Sequence, residues 1–165
     1  MNVLALDLGA HTGFALDVNG DLASGVQDFA KMEHPGHRFR MFNLWLADMA
    51  LGPRPEIGRK VDLIIYEKPL GRMAKGQAQV DLSIGFKTRI EEFCWRWQIR
   101  MESVPISTLK KATTGSGKAT KEQMVDRINM DYARNLEYSD HDEADALALL
   151  SYSKRFEPRL LKEAA

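Results

Sequence analysis

The sequence predicts a mixed α/β domain with helices on both faces of its sheet, and three observations carry that expectation. The chain opens with three strand-like segments, two of them joined by Asn19-Gly20, the strongest short hairpin signal. Residues 61–67, VDLIIYE, form a near-continuous apolar run, the mark of a parallel strand buried on both faces. After the opening meander, segments of helical period alternate with strands, which implies αβ units added to an antiparallel start.

Taken in order, VLALDL (3–8) is a short apolar run with a β-branched start and reads as a buried strand. TGFALDV (12–18) follows, and after the Asn-Gly turn DLASGVQDF (21–29) returns as a third strand. KMEHPGH (31–37) reads as a loop. Residues 38–51 carry Phe39, Phe42, Trp45 or Leu46, and Met49 at helical spacing. GPRPEIG (52–58) is a loop closed by two prolines. After the 61–67 strand comes the polar, basic stretch GRMAKGQ (71–77). A long helix over 78–97 follows, with Leu82, Phe86, Ile90 and Phe93 or Trp97 along one side. IRMESVP (99–105) is a strand ended by Pro105, and a short helix begins after Ser107. TTGSGKAT (113–120) is a loop, residues 121–132 are helical, and a last helix runs from near Ser139 to about Phe156. The expected organisation is one domain over 1–155 and a charged, frayed tail over 156–165. The first and fourth strands would be parallel neighbours through a right-handed crossover.

The bulk composition narrows the class. The chain has 165 residues, enough for one sizeable core, with 44% hydrophobic and 28% charged content. The one cysteine, Cys94, permits no internal disulfide and no zinc pattern; it suits a reducing cytosol and a buried small hydrophobe. No run approaches the length of a membrane span, and MNVLALDLG lacks the basic region of a secretory signal. Cytoplasmic residence is the expectation. Twenty-three basic residues balance 23 acids, which argues mildly against a nucleic-acid coat. Distribution matters more: acids that hold metal ions cancel basic residues in the sum without shielding them in space.

Near its C-terminus the chain reads SDHDEADALALL, residues 139–150, a run of acids leading into an apolar helix. Acids favour helix N-termini, and Ser139 can be the N-cap with Asp142 three residues on. Capping does not require both Asp142 and Asp145, which share one face and repel. Capping and cation binding are both open from this stretch alone. Two further acids bear on the choice. Side chains alternate along strands, so Val3, Ala5 and Asp7 share a face, and so do Leu63, Ile65 and Glu67. Asp7 and Glu67 each end a strand, and in parallel neighbours they stand side by side at the C-terminal sheet edge, where ligands bind. Neighbouring ionised acids are costly without a cation. Together with Asp142 and Asp145 they would make an all-oxygen site suited to Mg²⁺ or Mn²⁺. Such a site could hold two ions about 4 Å apart, as phosphodiester cleavage uses them. Turn formation by Asp7 before Gly9, and pairing of Glu67 with Lys68 or Arg72, are the plainer readings.

LALDLGAHTGFAL, LIIYEKP, STLKKATTGSGKATKEQMV and DEADALALL resemble, in order and spacing, the RuvC-type Holliday-junction resolvases of the ribonuclease-H-like superfamily. The resemblance spans nearly the whole chain. It implies a ribonuclease-H-like mixed five-stranded sheet, with an antiparallel meander and then two parallel strands. It implies that Asp7, Glu67, Asp142 and Asp145 are catalytic metal ligands for two Mg²⁺ ions, with Mn²⁺ able to substitute. Lys110 and Lys121 match the family's functional lysines, Lys121 in a catalytic role and both, with Lys118, as DNA contacts; solvated helix-end lysines are the plainer reading. The implied activity is metal-dependent resolution of four-way DNA junctions by paired symmetric nicks, carried out by a homodimer. The 78–97 helix could supply that interface, although its apolar stripe is equally a core stripe. In PLGRMAKGQ, Leu70 stands where the family often has an aromatic wedge, while Arg72 and Lys75 favour DNA-backbone contact.

Other features weigh less. ATTGSGKA fails as a phosphate-binding loop, with Ala112 in place of the first glycine and Ala119 in place of Ser or Thr, so no nucleotide cofactor is expected. His34 and His37 read as a solvated loop pair. His141, inside the acid cluster, reads equally as a metal-proximal or water-positioning group and as a helix-start residue. A nuclease acting on RNA-containing substrate uses the same acids, and a non-catalytic structure-selective DNA-binding protein is the third alternative. The actin-like and sugar-kinase group also opens with DxG but needs two such domains.

Overall fold

The computed structural model describes residues 1–32, 34–52, 60–69 and 76–162, with 157–162 as backbone only. The strands are β1 (Val3–Asp7), β2 (His11–Val18), β3 (Asp21–Asp28), β4 (Leu63–Glu67) and β5 (Arg100–Val104). The helices are α1 (Pro35–Leu51), α2 (Gln77–Trp97), α3 (Ile106–Thr114), α4 (Lys121–Tyr132) and α5 (His141–Lys162). They build one five-stranded sheet in the order β3-β2-β1-β4-β5. β1 pairs antiparallel with β2 and β2 with β3, while β4 runs parallel to both β1 and β5. Asn19 (φ 57°) and Gly20 (φ 94°) make the β2–β3 turn, both in the left-handed region that this turn requires. Among the described residues, no helix is long and apolar enough to cross a membrane.

Both faces of the central strands are covered. On one face Val3, Ala5, Leu63 and Ile65 pack with Leu109 of α3, Met124 and Ile128 of α4, and Leu147 and Leu150 of α5. On the other, Leu4, Leu6, Ile64 and Tyr66 pack with Phe42 and Leu46 of α1 and Phe86 and Ile90 of α2. Phe42 stacks on Phe86 at 4.1 Å, and Phe29 meets both rings edge-on. The α2 stripe is therefore a core stripe; Cys94 continues it, and Phe93 and Trp97 are only partly buried. Burial pushes the Cys94 thiol up to about 12, so it serves as a hydrophobe.

α2 begins at Gln77 and α3 at Ile106, slightly before the expected 78 and Ser107, and two other helix starts differ more. α1 begins at Pro35, inside the segment read as a loop, because Pro35 has the φ a first helical turn needs and the His34 ring accepts from the Gly36 amide at 3.0 Å. His34 is thus a cap. At the other end Ser139 is not the N-cap of the last helix. A 3₁₀ turn over Tyr138–Asp140 precedes α5, and its capping pair is Glu137 with Asp140, whose carboxylate accepts from the Glu137 amide at 2.9 Å. α5 also continues to Lys162, beyond the end expected near Phe156.

Beyond this packing, polar side-chain contacts also join α5 to the sheet. Lys154 pairs with buried Asp17 of β2. Burial works to raise the Asp17 carboxyl, but hydrogen bonds from Lys154 and the Gly20 amide, with nearby positive charge, hold it below the usual range. Ser24 of β3 donates to Glu143 Oε1 at 2.6 Å. The closest approach is made by backbone. A Cβ on Gly13 would lie 1.9 Å from the carbonyl oxygen of Asp142, so only glycine lets the first turn of α5 lie this close to β2.

Candidate active site

Three elements bring the predicted acids to one edge of the sheet. In the β1–β4 register Leu6 faces Tyr66, so the next step along each strand puts Asp7 beside Glu67. Their strand partners Ala5 and Ile65 belong to the core under α5, so both acids project toward that helix. Asp142 and Asp145 come from the first turns of α5, set down at this height by the Gly13 contact. Gly13 is itself paired with Asp7 across β1 and β2. All four acids line one cleft of about 160 Å³, together with Lys110, Lys121 and His141. A second cleft of about 290 Å³ continues from Asp7, His141 and Asp142 across Leu8–His11 to Gln79 and Ser83.

Asp142 and Asp145 are not the acids that cap the turn before α5. Asp140 does the capping, one turn before α5. Burial raises the Asp145 carboxyl to about 7, the charge of Glu67 adds to that and Asp142 contributes, while Lys121 and Lys110 act the other way. Among the described residues, no three His, Cys, Asp or Glu side chains converge closely enough to hold one ion as they stand. The donor set nevertheless fits a hard divalent cation: it is all carboxylate oxygen, and Asp145 within it is desolvated.

Around the acids the predicted basic residues take different places. Lys121 is the first residue of α4, N-capped by Thr120 in a capping box with Gln123. Its Nζ lies 3.0 Å from His141 Nε2, and His141 Nδ1 lies 2.8 Å from Asp142 Oδ1. Lys110 of α3 donates to the Ala119 carbonyl at 2.6 Å, which ties α3 to the residue before that cap. Lys118 sits on an exposed turn and lines neither cleft. Leu70, Arg72 and Lys75 lie outside the described residues. The TTGSGKAT segment follows a helix rather than a strand: Gly115 (φ 86°) ends α3 and Thr120 starts α4, the opposite context from a phosphate-binding loop.

Several contributors escaped the sequence reading. Buried Ser83 of α2 donates to the Leu8 carbonyl at 3.0 Å, and buried Thr12 donates to the Gly9 carbonyl at 2.7 Å. Both fix the turn directly after Asp7. Gly13 sets the depth of α5. The glycine in DLGAHTG was visible, but its reason lies about 130 residues away in the chain, in the backbone of Asp142.

A Thermus thermophilus RuvC structure aligns with a TM-score of 0.67 and 18% identity, over 95% of this chain and 97% of that one. T. thermophilus RuvC in complex with Holliday junction substrate aligns with a TM-score of 0.69 and 16% identity, over 90% of each chain. The yeast mitochondrial Holliday junction resolvase Ydc2 aligns with a TM-score of 0.65 and 12% identity, over 97% of this chain and 80% of that one. No protein-family model matches the sequence. No curated protein matches it either. The chain has the RuvC-type resolvase fold, a ribonuclease-H-like arrangement of the mixed sheet described above.

Proposed function

We propose that this protein is a metal-dependent endonuclease that resolves four-way and related branched DNA junctions by paired, symmetric nicks. One observation carries the reading most: four carboxylates from β1, β4 and α5 line a single cleft with Lys110 and Lys121 beside them. The fold shared with two resolvases, one of them seen with a Holliday junction, supports the choice of substrate.

Asp7, Glu67, Asp142 and Asp145 would hold two divalent cations, Mg²⁺ with Mn²⁺ able to substitute. When bound, such ions supply activation of water for in-line attack and stabilisation of the leaving 3′ oxygen. The chain's own groups do the rest. Strand ends β1 and β4 hold Asp7 and Glu67 on rigid backbone, while α5 presents Asp142 and Asp145 from the opposite wall. Lys121, at the N-terminus of α4, places a positive charge where phosphate oxygens gain negative charge, and Lys110 supports the same wall. Products would carry 5′-phosphate and 3′-hydroxyl ends. A second copy of the chain would supply the second nick. Lys118, Arg72 and Lys75 would contact the DNA backbone and Leu70 would act as the wedge at the junction centre.

The test is cleavage of a labelled synthetic four-way junction with Mg²⁺, beside linear duplex and an RNA–DNA hybrid, by wild type and Glu67→Gln. Paired nicks confined to the junction are expected, reduced about a hundredfold or more by Glu67→Gln while junction binding persists. Cutting of the hybrid in preference would move the protein to a ribonuclease role. Binding with no cutting in either metal would make it a non-catalytic junction-binding protein.

A further inference from the structure

His141 stands between the two groups that the proposed function uses most differently, a lysine and a carboxylate. Its side chain is 30% exposed and spans the N-termini of two helices. Lys121 Nζ at the start of α4 is 3.0 Å from Nε2, and Asp142 Oδ1 in the first turn of α5 is 2.8 Å from Nδ1. The direction of both bonds follows from inventory. An ammonium has three donors and no acceptor, so Nε2 must accept from Lys121 and carries no proton. With Nε2 taken by Lys121, Nδ1 is the ring nitrogen left to donate to Asp142. An imidazolium would instead set an N–H against an ammonium at hydrogen-bond distance.

We propose that His141 is a positioning residue that couples Lys121 to Asp142 by accepting from one and donating to the other. It keeps the ammonium over the cleft, and it leaves the second oxygen of Asp142 for a cation. With the ring removed, Lys121 can pair directly with Asp142 and cover the carboxylate. The inference rests on the function proposed above, in which Asp142 is a metal ligand and Lys121 faces phosphate. It makes no use of the ring as a base or as a metal ligand.

Those three roles separate by substitution. Glutamine offers an acceptor oxygen and an N–H donor on one side chain, so His141→Gln preserves both bonds and cannot take a proton at neutral pH. His141→Phe keeps a flat ring and loses both bonds. His141→Ala loses ring and bonds. The first readout is Mn²⁺ binding to the DNA-free protein by calorimetry. The Phe and Ala variants are expected to bind about ten- to a hundredfold more weakly, the effect of removing a hydrogen-bond partner from a ligating carboxylate. The Gln variant is expected to stay within about threefold of wild type. Junction nicking should follow the same order in kcat, with KM changed less. The second readout is the ¹⁵N spectrum of the His141 ring in the metal-free protein, which should show a protonated Nδ1 and a bare Nε2, with the preference lost in Lys121→Met.

A wild-type ring protonated at Nε2 overturns the proposal whatever the protein does with metals. Failure of Gln alongside Phe, in a wild type that binds Mn²⁺ and nicks junctions, overturns it in favour of a base or ligand role. Rescue by Phe overturns it in favour of simple packing. If wild type neither binds the metal nor nicks, the functional reading falls first and the coupling falls with it, although the ring proton would still lie on Nδ1.

Discussion

Asp145 is the residue whose chemistry the fold alters most. Its carboxyl titrates at about 7 in the folded chain, against 3.8 for an ordinary aspartate, because it is buried and faces Glu67. Between those values the folded protein holds a proton that the unfolded chain has released, so stability falls as pH rises through the window from about 4 to about 7. The metal-free protein should therefore melt at a higher temperature at pH 5.5 than at pH 8. Asp145→Asn should flatten that dependence, and saturating Mg²⁺ at pH 8 should raise the melting temperature of wild type but not of the variant by the same amount. Calorimetric scans across pH measure all three, and an unchanged slope in Asp145→Asn would place the pH dependence elsewhere. The position of this acid was readable in the sequence, from the alternation of two strands and the spacing of one helix. The shift was not, because it depends on how deeply α5 sinks against the sheet.

That depth belongs to the scale of elements. Gly13 on β2 touches the backbone of Asp142, and no side chain fits between them. Gly13→Ala must lift the first turn of α5 or bend β2. It should cost about 1–3 kcal/mol in denaturant unfolding. It should also reduce junction nicking by about a hundredfold, more than the loss of folded protein explains, because carboxylates displaced by even about 1 Å miss their geometry. Equal losses of stability and activity would make Gly13 a packing residue only. Element order was legible from period and turn signals, since strands buried on both faces and the Asn19-Gly20 turn leave few alternatives. Helix starts were less so. A histidine cap on α1 and an acid pair capping the turn before α5 are local choices among several residues able to cap.

At the scale of the whole molecule, a two-sided core presents the candidate site at the edge where β1 and β4 end and α5 begins. On the function proposed above, one such edge would make one nick. If two copies act on one junction, a mixture of wild type and Glu67→Gln should yield junctions nicked in a single strand, in proportion to the mixed dimers formed. Denaturing gels with both strands labelled would count them, and only doubly nicked or uncut junctions would argue against two cooperating copies. The halves of the candidate site also lie far apart along the chain: Asp7 and Gly13 near its start, Asp142 and Asp145 after residue 140. During synthesis the sheet's two acids emerge well before their partners. The cleft cannot close until the ribosome has released α5 and that helix has settled onto bare backbone at Gly13. A nascent chain thus carries only half of the candidate site until α5 has emerged, and on the proposed function it could not yet cut DNA.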